Sequence, residues 1–337
     1  EESLLAGLIV GIHPLSWLPV GAIAYRPELL ATLFALLASI FHIRYRTEEK
    51  LYYAFCAIAA AFCAMFSKES AVIWIVGLNT LWELARRKDG AQKPIFHHSL
   101  FFASELTALT AYMIIRQRSI GTLWHLTRAE IDVTSLIFTQ LQVLSVKFWE
   151  VATPILPSLS DATVICNLPT LGSALAAAIS ISLLAAVLKL GAATQLGSAL
   201  LVFAIALLPA LNLIPLPRFS SPHYGYFAVI PFAVLVVIAL RSLAARNQLH
   251  VMIANAILIL WIATACISTF RGGYRFQNDF TLFTPTVTSD PEFREGAFYL
   301  AGFWEQANSI DIAEKYYKQA LKQNAAVLSY VDYDSLL

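Results

Sequence analysis

The chain has 337 residues, a formal net charge of +1, 58% hydrophobic and only 13% charged residues, and a mean hydropathy of +0.66. Soluble domains carry about 25% charged residues, so this balance excludes a water-exposed globule, whose apolar surface would have nowhere to hide. A polytopic membrane protein is implied instead; the charge of +1 is silent on nucleic acid, but no basic run that would track phosphates is present, so none is expected as a partner.

In chain order, apolar runs fall at about 3–12, 27–43, 51–66, 70–85, 99–115, 133–152, 171–188, 194–213, 224–240 and 251–269. They lack the alternation of barrel strands, so the expected class is all-α. The first is shorter than the ~20 residues needed to span unless it begins upstream of Glu1. Glu1-Glu2 opens on it without a basic n-region, so no signal peptide is read there. Cys56 and Cys63, seven apart on one helix, lie about 10 Å apart and cannot bridge; Cys166 and Cys266 stand alone, and no spacing suggests a metal.

Lys and Arg in the short loops set the orientation. Arg44, Arg46 and Lys50; Arg86, Arg87, Lys88 and Lys93; Lys189; and Arg241 with Arg246 mark the cytoplasmic loops. The loops 13–26, 67–69, 116–132 and 215–223 then lie on the other side. This parity holds if 133–152, with Gln140, Gln142, Lys147 and Glu150, skims the interface rather than crossing. About eight crossings result, and the brevity of the loops points to a bacterial inner membrane.

Residues 271–291 are polar and rich in Gly, Asp and Pro, which predicts a linker. Two amphipathic helices follow over 292–323, broken at Asn308-Ser309. Leu300, Ala301, Trp304, Ala313, Tyr317 and Ala320 occupy tetratricopeptide positions, with Ala325 where a Pro is usual. A second repeat begins at Leu328. One repeat cannot bury its own apolar face, so either the chain continues or the hairpin packs on the membrane domain.

Lys68 and Glu69 interrupt an apolar stretch at a non-cytoplasmic helix junction. A lysine at headgroup level suits a lipid phosphate; the structural alternative makes Ser67 an N-cap with Glu69 complementing the helix dipole. Prolines 215, 217 and 222 fix a loop carrying Arg218, His223, Tyr224 and Tyr226, suited to a phosphate or sugar hydroxyls, or to interface anchoring. His13 precedes Pro14 and reads as a helix-end hydrogen bonder, and Arg26 with Glu28 as a helix-start pair. His97 and His98 read as interfacial. Arg116, Arg118, Trp124, His125 and Arg128 form a basic, aromatic outer loop, and Glu130, Asp132 and Asp161 are outer carboxylates outside any motif. No Walker loop, dinucleotide glycines, HExxH or GxSxG occurs. In-span charges are few (Glu83, Glu105), and a transporter would need a continuous polar path.

Three segments coincide with one pattern. HPLSWLPVGAIAYRPELLATLFALL (from His13), FSKESAV (from Phe66) and LLPALNLIPLPRFSSPHYGYFAVIPF (from Leu207), followed by a last span and a repeat hairpin, resemble the transmembrane-and-tetratricopeptide O-mannosyltransferase-like proteins. These belong to the GT-C superfamily of membrane glycosyltransferases. The resemblance implies transfer of a sugar from a polyprenyl-phosphate carrier on the non-cytoplasmic face. Lys68, with Arg218 or His223, would contact the carrier phosphate, and Tyr224 belongs to the same segment. His13 and Arg26 would shape the cavity, and the hairpin would bind a protein partner on the periplasmic side.

Leu18 stands where the family has a Glu, five residues after the His. The superfamily's catalytic Asp or Glu is expected upstream of Glu1. The expectation is therefore a GT-C-like membrane domain over 1–270, a linker over 271–291 and a partial repeat domain over 292–337. Its partners are membrane lipids and the lipid-linked sugar donor, with a divalent cation as an open cofactor alternative and no metal-ligand set assigned. A non-catalytic scaffold of the same fold is the alternative. Under the transferase reading, Lys68→Ala abolishes transfer and leaves insertion intact.

Overall fold

The computed structural model describes residues 2–88, 95–120, 131–192, 194–211, 218–244 and 248–328. Asn212–Pro217, Trp124, His125, Arg128, Glu130, Lys93, Arg246 and the second repeat beyond Leu328 lie outside the described residues, as do the side chains of Arg86, Arg87, Lys88, His97, His98 and Glu105.

The chain is almost wholly helical, in the order α1 (Glu2–Ile12), α2 (Trp17–Gly21), α3 (Arg26–Glu48), α4 (Leu51–Ser67), α5 (Ala71–Lys88), α6 (Ile95–Ile120), α7 (Val133–Ala152), β1 (Thr163–Val164), α8 (Leu171–Leu190), α9 (Gln195–Leu207), α10 (Val229–Ala244), α11 (Gln248–Arg275), α12 (Asp279–Ser289), α13 (Arg294–Gln306), α14 (Ile310–Leu321) and β2 (Val327–Leu328). Three helical stretches, Ile23–Glu48, Leu171–Leu190 and Gln248–Arg275, are long and apolar enough to cross a membrane. The pair Glu2–Ile12 and Pro14–Gly21, bent by 55°, makes a fourth if it is one span. Leu51–Ser67, Ala71–Thr80, Gln195–Leu211 and Val229–Leu243 are shorter apolar helices.

Small residues set the packing. Ala31, Ala35 and Ala38 of α3 and Ala57, Ala60, Ala61 and Ala64 of α4 are buried where these two helices meet. Where lipid supplies no hydrophobic drive, such faces bring backbones into van der Waals range. The core continues through Trp74 of α5 stacked on Phe227, with ring centroids 4.1 Å apart.

The structure departs from the expected linker. α11 runs on to Arg275, and α12 occupies 279–289 with Pro285 inside it. Asn278 and Thr281 cap α12 reciprocally. Gly272 serves close approach rather than a turn, since a Cβ there would stand 3.0 Å from Trp17 Cε3. α7 likewise turns its charges inward: Lys147 and Glu150, read as marks of an interface helix, are buried.

α13 and α14 form an antiparallel hairpin whose turn places Asn308 at φ 56°. Leu300, Ala301, Ala313 and Ala320 are buried, and Trp304 and Tyr317 are partly buried. Their apolar face is completed by Val287 of α12 and by Trp17, Leu18 and Leu159, so the hairpin packs on α2 and on the loop that follows α7. The two-stranded pairing of Thr163 with Leu328 fastens its end.

Candidate functional site

The loops beneath the hairpin gather ionisable side chains from distant parts of the chain. Lys68 is the C-cap of α4, its amide bonded to Ala64 O, and α5 begins three residues later. Ser67 is therefore the last residue of α4, its hydroxyl bonded to Cys63 O, and not an N-cap. The Lys68 ammonium meets the Glu28 carboxylate in the first turn of α3 and lies 4.9 Å from the Tyr224 ring. Glu28 is 2% exposed, and the expected Arg26–Glu28 pair does not form: Arg26 is exposed, with no ion pair to the described residues.

His223 completes the group. Pro222 starts a 3-10 turn that buries His223 and Tyr224. His223 Nε2 stands 3.7 Å from Glu28 Oε1, and Nδ1 is 2.6 Å from Ser221 Oγ. Tyr25 covers the imidazole at 4.3 Å between ring centroids, and Tyr224 meets it edge-on at 4.4 Å. Behind this group, Lys147 Nζ donates to Glu150 Oε2 at 2.7 Å and to Ser221 O at 2.9 Å.

Arg218 faces the hairpin. Its guanidinium grips Glu295 of α13 with two hydrogen bonds, one of 2.6 Å, and lies 3.9 Å from Asp161 Oδ2. Such planar, bidentate pairing is the strong form of an Arg–carboxylate contact. Glu69 instead pairs with Arg116 at 3.4 Å, and Arg116 donates to Tyr112 Oη at 2.8 Å.

Electrostatics follow from burial. Desolvation pulls the Lys68 ammonium down to about 8, with the Glu69 carboxylate opposing. Desolvation, then the neighbouring Lys68, Lys147 and Arg218 cations, hold His223 well below its ordinary value, so it is neutral at pH 7. Burial raises the Tyr224 hydroxyl. For Arg218, burial works against the charge, but the Glu295 hydrogen bonds and field outweigh it and raise the group. Lys68, Lys147 and Arg218 each have a carboxylate partner, so an anionic ligand must displace one, and Glu28 is the one facing Lys68.

His13 is not in this group. Its Nδ1 accepts from Leu15 N at 3.1 Å, capping the turn of the first loop, and its Nε2 reaches Val151 O at 3.0 Å, holding that loop on α7, so both nitrogens are committed. Arg118 is exposed, and Asp132 caps α7 through Ser135 N at 3.0 Å. At the opposite end of the bundle, Glu83 is held by Arg46 Nε at 2.6 Å and His42 Nε2 at 3.1 Å, a local knot between α3 and α5. Among the described residues no group of three or more His, Cys, Asp or Glu is placed to hold a metal ion.

Lys68, His223 and Tyr224 thus come together, Arg218 stands beside them in the hairpin clasp, and His13 and Arg26 are elsewhere. Sequence reasoning missed Glu28, Tyr25, Lys147 and Glu295 as members. Glu28 carried a signal, a carboxylate in the first turn of a long apolar helix. Lys147 and Glu150, three apart on an apolar helix, carried another. Glu295 carried none, because its partner is 77 residues away. No family model, curated protein or solved structure matches the chain.

Proposed function

We propose that the chain is the membrane body of a GT-C-like glycosyltransferase, taking a sugar from a polyprenyl-phosphate carrier to an acceptor hydroxyl. In this reading the shorter apolar helices complete about eight crossings. The tetratricopeptide-like hairpin sits on the periplasmic side of a bacterial inner membrane. The observation that supports it is the convergence of Glu28, Lys68 and His223 from three separate segments at one end of the bundle.

The chemistry asks for two complementary charges. An acceptor oxygen attacks the anomeric carbon as its proton passes to a carboxylate, for which Glu28 is the candidate within this chain. The bond from the anomeric carbon to the phosphate oxygen breaks, and its electron pair leaves with the phosphate. Lys68 compensates that growing negative charge. Neutral His223, fixed through Ser221, stands 3.7 Å from the Glu28 carboxylate without adding a competing charge. Donor phosphate drawing Lys68 away from Glu28 would free the base at the moment of binding.

The test uses the protein in nanodiscs with undecaprenyl phosphate as probe. Saturable binding is expected, lost in Lys68→Met and tightened in Glu28→Gln, which removes the competing carboxylate. Equal binding by wild type and Lys68→Met would overturn the proposal. A scaffold function is the second reading. The Arg218–Glu295 clasp and the shared apolar core favour it, because they hold the hairpin rigidly for a protein partner.

A further inference from the structure

At the end of the bundle away from the hairpin, α1, α9 and α10 leave a groove of 510 Å³ between them, floored by Leu36 of α3 and Leu78 of α5. Ligand pockets run from about 300 to 1,000 Å³, so the space is ample for a long, thin chain. Its walls are apolar, lined by Ala6, Ala199, Val202, Val234 and Ile238. From Ile230 to Arg241 the α10 face extends about 17 Å, close to half of a ~30 Å hydrocarbon core. Phe227, stacked on Trp74, closes the far end of the groove.

Polarity is confined to one end. α9 and α1 start where α10 finishes, so Gln195, Ser198, Glu2, Ser3 and Arg241 gather at a single rim. There the Arg241 guanidinium lies 3.6 Å from the Glu2 carboxylate, with the two side chains 68% and 60% exposed. This is an adjacent cation and anion, both open to exchange partners, at the mouth of an apolar slot.

We propose that the groove binds one zwitterionic phospholipid of the phosphatidylethanolamine type. One acyl chain fills the slot, the lipid phosphate meets Arg241, and the primary ammonium donates to Glu2. The head group thereby answers both charges of the rim. A phosphatidylcholine ammonium has no N–H to donate, and a phosphatidylglycerol leaves Glu2 facing an unmatched anion. The site uses none of the residues assigned to sugar transfer, and stands whether or not that function does.

The full chain, purified in maltoside and stripped of lipid, is incubated separately with 1-palmitoyl-2-oleoyl phosphatidylethanolamine, phosphatidylcholine and phosphatidylglycerol, and retained lipid is counted by native mass spectrometry. One retained phosphatidylethanolamine is expected, held above phosphatidylcholine and phosphatidylglycerol in that order. Arg241→Ala, at an exposed position, lowers retention about two- to fivefold, the worth of an exposed ion pair. Val234→Trp fills the mouth from a half-exposed site and abolishes it. Retention that is absent, or equal for the three lipids and unchanged in Val234→Trp, overturns the proposal. So does a dimer lost in Val234→Trp, which would assign the groove to a second copy.

Discussion

Replacing Lys68 is no longer the clean experiment that the sequence implied, because the structure sets its ammonium against a carboxylate that is 2% exposed. Lys68→Met keeps most of the apolar stem but removes the Nζ that faces the Tyr224 ring and Glu28, and so strands Glu28 without a counter-charge. Breaking a buried pair from one side costs about 3–5 kcal/mol. The Lys68 side chain is 19% exposed, so the lower end, about 3 kcal/mol, applies. At roughly 2 °C per kcal/mol for a chain of this size, Tm falls by about 6 °C. Glu28→Gln should cost less, since the freed lysine can reach toward water along its flexible stem. The double variant Lys68→Met/Glu28→Gln removes both charges and should recover at least half of the loss. The assay is thermal unfolding of the four detergent-solubilised proteins, read as a double-mutant cycle. Strictly additive single effects would show that the two groups do not interact, and with them the central contact of the proposed site would fall.

Two further outcomes follow from the same geometry. His223 is depressed below its unfolded value near 6.5, so on acidification the unfolded chain takes up its proton first. Its contribution to stability is complete above about pH 6.5 and declines below it by up to ~1.4 kcal/mol per pH unit. Wild type minus His223→Asn, compared by Tm from pH 7.5 to 5, should show that slope; parallel curves would refute it. Gly272→Leu drives a side chain into Trp17 and Leu156, whose Cδ1 would stand 2.7 Å from the new Cβ. Overpacking of this kind costs about 1–3 kcal/mol. Faster proteolysis of the hairpin than in wild type checks it, and an unchanged rate would show that α11 does not need this close approach.

Composition was enough to determine the class, because 58% hydrophobic and 13% charged residues leave no other solvent than lipid for so much apolar surface. Local signals also sufficed for the break at Asn308-Ser309 and the buried Leu300, Ala301, Ala313 and Ala320, since helical periodicity is a property of neighbours in sequence. Gly272 and Pro285 misled, because glycine serves close packing as readily as turns and α12, capped by Asn278 and Thr281, continues through its proline. Only the tertiary structure decided the site. Glu28 chose Lys68, 40 residues away, over its near neighbour Arg26, and Arg218 chose Glu295. Charges buried in a low dielectric take the partner that burial brings into contact, and that partner is set by how the helices pack rather than by spacing along the chain.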